Sequence, residues 1–214
     1  MAALLRRYGV GARWYDVLSG ERWVYRAGRR AGVALLDPRP GEVIVDLGCG
    51  TGLNFPALSE AVGPTGLIVG IDRSPDMLEM ARRRVERAGW GGRVRILQAD
   101  ATALRPSDVA ALAGASPDAL LATYSLSVID GREEAWRQAS ASLRPGGRAC
   151  IVDMQPPRGT WRVLSPLARL ACSAGGADIT AHPWQMLERD AEPGSLRRSE
   201  RKGGHIVAVA GRLA

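Results

Sequence analysis

Short apolar runs alternate with amphipathic stretches along most of this chain. The apolar runs predict buried strands over residues 43–47, 67–71, 94–97, 117–124, 148–153 and 205–210, and a more charged strand over 195–202. Apolar residues at helical spacing predict helices over residues 21–36, 53–61, 75–88 and 131–143, with residues 1–40 helical overall. Residues 154–192 are rich in proline and are expected to be irregular, apart from one helix around residues 161–171.

Length and charge narrow the possible classes of protein. A chain of 214 residues can bury the core of one domain, and no apolar run approaches the roughly 20 residues that cross a bilayer. Because the chain begins with no signal-peptide pattern, it is expected to be cytoplasmic. The formal net charge is +7, and residues 1–36 hold seven arginines against two acids. This excess predicts either an anionic partner near the N-terminal end or an ordinary solvated helix face.

The residue types that usually bind metals are few and scattered. Cys49, Cys150, Cys172, His182 and His205 form no spacing typical of a zinc site, and the cysteines suggest no disulfide framework. We therefore expect no metal cofactor.

The most informative stretch joins the first strand to the helix after it. Asp46 and Leu47 end the strand, and the sequence Gly48-Cys49-Gly50-Thr51-Gly52 follows. Glycines at this spacing let the backbone turn sharply and let a ligand lie against bare main chain. Dinucleotide-binding loops use G-x-G-x-x-G, whereas here the third glycine comes one position earlier. A further acid, Asp72, ends the second strand about 20 residues beyond the loop, the usual position of a ribose-binding carboxylate.

The sequence D-L-G-C-G-T-G resembles the first motif of the class I S-adenosylmethionine (SAM) dependent methyltransferases. The resemblance implies an α/β fold of three layers, Rossmann-like, with a seven-stranded, mostly parallel sheet whose last strand is antiparallel. The resemblance covers roughly residues 40–155, and the chain shows no sign of a second domain, so a single domain is predicted over residues 1–214. This domain would comprise a helical substrate cap (1–40), a SAM-binding core (41–155), and a substrate wall with the terminal strands (156–214).

The same resemblance implies which residues bind the cofactor. Asp72 is expected to hold both ribose hydroxyls, and Asp100 to accept from the adenine amino group, with the Ala101 N–H on the ring. Alternatively, Asp72 is a charge at a helix N-terminus, and Asp100 caps the short helix that follows it. The full predicted set is Asp46, Gly48, Cys49, Gly50, Thr51, Gly52, Asp72, Arg73, Met77, Asp100, Ala101 and Tyr124.

The implied reaction is attack of a nucleophile on the methyl group of SAM, with S-adenosylhomocysteine as product. Because that methyl group is already activated, the enzyme needs mainly to orient the acceptor and exclude water, and no metal is required. The residues after the fourth strand should face the methyl group, so Tyr124, Ser125 and Ser127 are candidate active-site residues. If the acceptor needs a catalytic base, the candidates are Tyr15, Tyr124, Asp130 and His182.

A narrower resemblance predicts the acceptor. The Tyr15-Asp16 pair, the basic aromatic helix after it, residues 124–127 and the turn at 143–147 resemble one methyltransferase subgroup. It contains quinone-ring C-methyltransferases and bacterial N-methyltransferases of phospholipids and betaine lipids. Because arginines interleaved with aromatic residues suit an anionic membrane surface, we predict a lipid amine as acceptor and peripheral membrane contact through residues 1–36.

Other acceptors and roles stay open. The alternatives are a quinone-ring or natural-product C- or O-methyltransferase, then an RNA methyltransferase, then a SAM-binding protein without catalysis. A nucleic-acid partner is not expected, because the Asn/Asp-Pro-Pro-aromatic motif of base-modifying relatives is absent after the fourth strand.

Overall fold

The computed structural model describes residues 25–157, 159 and 176–214, and within them seven strands form one sheet. The strands are β1 (Val43–Leu47), β2 (Leu67–Asp72), β3 (Val94–Gln98), β4 (Ala119–Thr123), β5 (Arg148–Met154), β6 (Arg197–Arg201) and β7 (Ile206–Arg212). Their order is β3-β2-β1-β4-β5-β7-β6; β1 to β5 are parallel, and β7 is antiparallel to both of its neighbours. The predicted seven-stranded, mostly parallel sheet with an antiparallel last strand is confirmed.

Six α-helices accompany the sheet in the described part of the chain. They are α1 (Tyr25–Leu36), α2 (Phe55–Val62), α3 (Pro75–Arg87), α4 (Pro106–Ala113), α5 (Arg132–Ser140) and α6 (Trp184–Asp190). Short 3-10 turns, Ala101–Ala103 and Leu126–Val128, follow β3 and β4. The helix predicted over residues 21–36 ends at Leu36 as expected, because the residue before a proline disfavours the helical conformation.

Two of these helices were not predicted from the sequence. Helix α4 begins with Pro106, a favourable first helical residue, but Val109 is its one fully buried position, so its apolar periodicity is weak. Helix α6 falls within the segment expected to be irregular, and for residues 184–190 that expectation is wrong. Its seven residues are too few to show a helical period. The helix predicted around 161–171 and the cap residues 1–24 lie outside the described residues.

The helices cover both faces of the sheet. On one face, α1, α2 and α3 contribute Val33, Leu36, Phe55, Leu58, Leu78 and Ala81 to the buried core. On the other face, α4, α5 and α6 contribute Val109, Ala135, Trp136, Met186 and Leu187. The fold therefore has three layers, and the division of the chain into cap, core and substrate wall stays a prediction.

The strand order changes direction beside β1. The chain moves outward from β1 to β2 and β3, then returns to add β4 and β5 on the other side of β1. In open α/β sheets, ligands bind at the carboxyl edge next to such a point. The segments that follow β1, β2 and β4 therefore meet at one place, and it is there that a functional site is expected.

Candidate functional site

The turn after β1 brings bare backbone to the carboxyl edge of the sheet. Gly48 and Gly50 have φ angles of 67° and 55°, in the left-handed region that favours glycine. A Cβ atom at residue 48 would come within 2.3 Å of the Cβ of Ser125, so a side chain there would separate this turn from the end of β4. The N–H groups of Gly48 and Cys49 both donate to the carbonyl of Ile71, at 2.8 and 2.9 Å. The turn is thus fixed between the ends of β2 and β4.

Asp72 ends β2 beside this glycine turn. Its Oδ2 accepts from the N–H of Gly50 at 2.9 Å, and its Oδ1 accepts from the N–H of Ser74 at 2.9 Å. Ser74 itself caps α3, because its Oγ accepts from the N–H of Met77 at 3.4 Å. Each carboxylate oxygen of Asp72 retains a second lone pair, with which it can accept a hydrogen bond from a ligand.

A cavity of about 380 Å³ opens where these segments meet, a volume within the usual range of ligand pockets. We name it the edge cavity. Its lining includes Arg29, Leu47, Gly48, Cys49, Gly50, Thr51, Leu53, Ile71, Asp72, Arg73, Ser74, Pro75, Asp76, Met77, Ala99, Asp100, Ala101, Thr123, Tyr124, Ser125, Val128 and Ile129. All the predicted cofactor residues line it except Asp46 and Gly52; Gly52 packs against the ring of Phe55 instead.

Asp46 lies beneath the edge cavity rather than in its lining. Its side chain is completely buried, and its Oδ1 accepts from Nδ2 of Asn54 at 2.8 Å. Within the described residues, no hydrogen-bond donor reaches its Oδ2. Burial raises the pKa of Asp46 to about 7, although the Asn54 hydrogen bond and the charge of Arg29 act in the opposite direction. A carboxylate oxygen therefore remains unsatisfied directly below the glycine turn.

The polar side chains that join Asp46 to helix α1 were missed by the sequence analysis. Oγ1 of Thr123, at the end of β4, accepts from Nδ2 of Asn54 at 3.0 Å and from Nη1 of Arg29 at 2.7 Å. Arg29 also lines the edge cavity, so helix α1 brings a positive charge to the glycine turn. The one signal in the sequence is that Arg29 follows Gly28 on the buried side of an amphipathic helix, which is too weak to distinguish it from the other arginines.

Asp100 adopts the alternative role considered for it. Its Oδ1 accepts from both the N–H and the Oγ1 of Thr102, at 2.9 and 2.7 Å, so it caps the turn Ala101–Ala103. These hydrogen bonds lower the pKa of Asp100, which is exposed at the rim of the edge cavity. Contact between Asp100 and adenine remains a prediction.

Tyr124 lies at the end of β4 in a conformation that is unusual for a residue with a side chain. Its φ angle is 55°, and its hydroxyl donates to the carbonyl of Tyr25 at 3.1 Å. The two tyrosine rings form an edge-to-face pair with centroids 4.8 Å apart, and the Arg29 guanidinium lies 5.3 Å from the Tyr124 ring centre. Gly28 makes this packing possible, because a Cβ there would come within 1.9 Å of the Tyr124 hydroxyl.

The remaining catalytic candidates do not meet in the edge cavity. Asp130 and His182 line a separate cleft at the start of α5. A role for either residue as a catalytic base remains a prediction. Ser125 lines that cavity but donates its hydroxyl to the Leu47 carbonyl at 2.9 Å, whereas Ser127 is buried outside its lining. Tyr15 lies outside the described residues.

Neither metal ligands nor membrane spans mark the described part of the chain. Residues 25–157, 159 and 176–214 contain no group of three or more acids, histidines and cysteines arranged to hold a metal. None of the helices there is both long and apolar enough to cross a bilayer. Burial raises the pKa of the Cys150 thiol to about 12 and that of Cys49 well above its usual range, so neither is a reactive thiolate at neutral pH.

Sequence comparisons connect this chain to known proteins. Residues 44–147 match a family model described as a methyltransferase domain. An uncharacterized 37.1 kDa protein in transposon TN4556 of Streptomyces fradiae is 32% identical over 205 residues, covering 82% of this chain and 57% of that protein. The ubiquinone/menaquinone biosynthesis C-methyltransferase UbiE of Ectopseudomonas mendocina is 32% identical over 142 residues, covering 66% of this chain and 52% of the relative. The chain thus spans about half the length of these curated relatives.

Solved structures share the fold. A SAM dependent methyltransferase from Aquifex aeolicus superposes with a TM-score of 0.58 at 16% identity, covering 87% of this chain and 89% of that one. At this level of identity the similarity shows the fold alone, and it confirms the predicted three-layer, Rossmann-like arrangement. The match of residues 44–147 to the methyltransferase domain model and the shared fold are thus what connect this chain to the methyltransferases.

Proposed function

We propose that this protein binds SAM in the edge cavity and transfers its methyl group to a ring carbon of a small quinol-type acceptor. The observation that supports SAM binding best is the edge cavity itself, in which the glycine turn, Asp72 and the end of β4 surround one space. The acceptor class rests on the relatives, because the UbiE proteins are described as C-methyltransferases of ubiquinone and menaquinone biosynthesis. They favour the quinone-ring alternative over the predicted lipid amine.

The residues of the edge cavity fit the separate parts of SAM. Asp72 has lone pairs available for the ribose hydroxyls, and the bare backbone at Gly48 and Gly50 leaves room for the methionine end. The unsatisfied Oδ2 of Asp46 would attract the α-ammonium from below, and Arg29 would pair with the α-carboxylate. Bound SAM would supply a methyl group already activated by its sulfonium.

The acceptor side of the edge cavity suits a flat, apolar ring. Tyr124 lines the cavity, and it packs with Tyr25 against a cluster formed by Met154 and Ile179. Aromatic and thioether surfaces of this kind bind rings through stacking and dispersion. The contribution of these residues would be to orient the acceptor toward the methyl group and to exclude water. An acceptor hydroxyl that ionises by itself would supply the electron density at the ring carbon.

A lipid amine remains the second candidate. Arg26 and Arg30 are exposed one helical turn apart on α1, within the residues predicted to contact an anionic membrane. This pair would favour a lipid substrate presented at a membrane surface. It equally suits a solvated helix, so the candidate stands behind ring methylation.

Calorimetric titration with SAM and with S-adenosylhomocysteine tests the cofactor site. We expect Asp72→Ala to weaken SAM binding by about 100-fold, because hydrogen bonds to a charged group contribute about 1.5–3 kcal/mol each. Asp76→Ala is the matched control, since Asp76 lines the same cavity but is exposed on the first turn of α3. Failure of a folded sample to bind either ligand would overturn the proposal.

The acceptor is tested separately, with SAM labelled in its methyl group. A demethylated naphthoquinol and phosphatidylethanolamine vesicles are offered in parallel, and the product is analysed for a new carbon–carbon or carbon–nitrogen bond. Ring methylation without amine methylation is the expected result. Methylation of the amine alone would replace the first candidate with the second.

A further inference from the structure

The end of β5 contains a buried carboxylate that the proposed chemistry does not use. Side chains of β5 alternate between the faces of the sheet, with Cys150 and Val152 in one core and Ile151 in the other. Met154, on the same face as Val152, packs with Tyr124. Asp153 points to the opposite face and has no exposed surface. The two last residues of β5 thus reach the segment after β4 from both sides.

Asp153 is bonded to the turn that follows β4. Its Oδ2 accepts from the N–H of Ser127 at 3.2 Å, and its Oδ1 accepts from the N–H of Met154 at 2.9 Å. The carbonyl of Ser127 accepts in turn from the N–H of Asp178 at 3.0 Å. The backbone of Ser127 is therefore held from both directions, by β5 and by the segment that leads to α6.

This turn contributes directly to the edge cavity. We name residues 125–129 the β4 turn; Ser125, Val128 and Ile129 line the cavity, whereas Ser127 faces Asp153 beneath it. The first N–H groups of a helical turn have no partner within the turn, so the N–H of Ser127 needs an acceptor from elsewhere. Asp153 supplies that acceptor.

Placing the ionised carboxylate of Asp153 in the interior costs free energy, because the group is completely buried. Burial of a carboxylate is unfavourable unless hydrogen bonds and charges compensate for it. The pairing of β5 with β7 does not depend on this side chain, because the register of Asp153 with Val207 is formed by main-chain bonds. What the carboxylate adds is its bond to the β4 turn.

We propose that Asp153 is a positioning residue for methyl transfer, whose ionised carboxylate holds the β4 turn in place against the edge cavity. The proposal rests on the proposed function, because it assigns to Asp153 the placement of residues that would lie next to SAM. Protonation would place an O–H donor opposite an N–H donor, so the turn would be held well only when Asp153 is ionised.

The surroundings of Asp153 set the pH at which this support is lost. Burial raises the pKa of Asp153 to about 6, while the bonds from Met154 and Ser127 and the charge of Arg132 oppose the rise. Arg132 comes from α5 and also lies 3.5 Å from the carboxylate of Asp178. From β7, the residue in register is the apolar Val207. Loss of this support should therefore weaken SAM binding as the pH decreases through about 6, a step separate from any change that Asp46 causes near pH 7.

The test is the Kd for SAM, measured by calorimetry between about pH 5 and 8.5 on the whole chain. At pH 8, Asp153→Asn should weaken binding by about tenfold, because its amide presents a donor to one of the two N–H groups and shifts the turn. The variant should also lose the transition near pH 6. Asp118→Asn is the matched control, because Asp118 also accepts a backbone N–H, that of Val43 at 2.9 Å, but does so before β4 begins. Its Kd and pH profile should match those of the wild type.

A second variant covers the case in which Asp153→Asn does not fold. Arg132→Met removes the cation facing Asp153 but leaves its hydrogen-bond donors, so the transition should move to higher pH. A purely structural role would leave the position of the transition unchanged in Arg132→Met. If Asp153→Asn bound SAM with wild-type affinity and an unaltered pH profile, the inference about Asp153 would be refuted and the proposed function would be unaffected. Absence of SAM binding by the wild type would instead refute the proposed function.

Discussion

Two completely buried aspartates support the carboxyl edge of the sheet, and they are stabilised in different ways. Asp46, at the end of β1, bonds to the side chain of Asn54 and keeps one oxygen without a donor. Asp153, near the end of β5, receives a backbone N–H on each oxygen. Burial raises the pKa of Asp46 to about 7 and that of Asp153 to about 6. The difference teaches that equal burial leaves one aspartate with an oxygen that lacks a donor and ties the other to the turn after β4.

The largest effect is expected from the charge of Asp46. The pKa of this carboxyl is about 7 in the folded protein against 3.8 as its reference value, so between these values the folded chain keeps a proton that the unfolded chain has lost. The stability of the wild type relative to Asp46→Asn should therefore decrease as the pH rises from about 4 to 8, by about 4 kcal/mol. Urea unfolding of both proteins across this range measures it. Parallel pH curves for the two proteins would show that Asp46 has an ordinary pKa.

An intermediate effect is expected at Gly28, where helix α1 packs against Tyr124 at the end of β4 and against Ile206 of β7. A Cβ at this position would come within 1.9 Å of the Tyr124 hydroxyl and 2.7 Å of Cγ2 of Ile206. Gly28→Ala should therefore reduce the free energy of unfolding by about 2 kcal/mol, despite the better helix propensity of alanine.

Adding Tyr124→Phe to Gly28→Ala removes the clashing hydroxyl and should recover about 1 kcal/mol, measured as a double-mutant cycle by urea unfolding. The control is Gly91→Ala, because a Cβ at Gly91 meets no atom within 4 Å. Equal losses in Gly28→Ala with and without the second substitution would argue against the clash.

The smallest effect is expected at an aspartate that is exposed on the same edge. Asp100 caps the turn after β3 through Thr102 and is open to solvent, so it has no burial cost to relieve. Because asparagine caps about as well as aspartate, Asp100→Asn should change the free energy of unfolding by no more than about 0.5 kcal/mol. Thermal or urea unfolding at pH 7 checks this value. A loss of unfolding free energy as large as the change predicted for the buried Asp46 would contradict this. It would mean that solvent exposure does not explain the difference between Asp100 and the buried aspartates.

Most of the lining of the edge cavity could be predicted from the sequence because its determinants are local. The glycine turn, Asp72 and the Ser74 cap lie within short stretches whose backbone conformation depends on residue type. The strands could be predicted for the same reason: fully buried parallel strands are continuous runs of apolar residues. Helix α4 also had a local signal, Pro106 at its first position, which the weak periodicity of the segment obscured.

The sequence by itself determined the layered α/β fold and the sheet edge at which the edge cavity lies. Only the tertiary structure decided which side chains complete the site. Arg29 meets Thr123 across 94 positions, and Asp153 meets Ser127 across 26, so no spacing along the chain could indicate either pair. Likewise, the same residue type is buried without a full set of partners at Asp46 but exposed at Asp100. The physical reason is that hydrogen-bond partners and desolvation depend on what the fold packs around a group, whereas turns and strands depend mainly on the residues that form them.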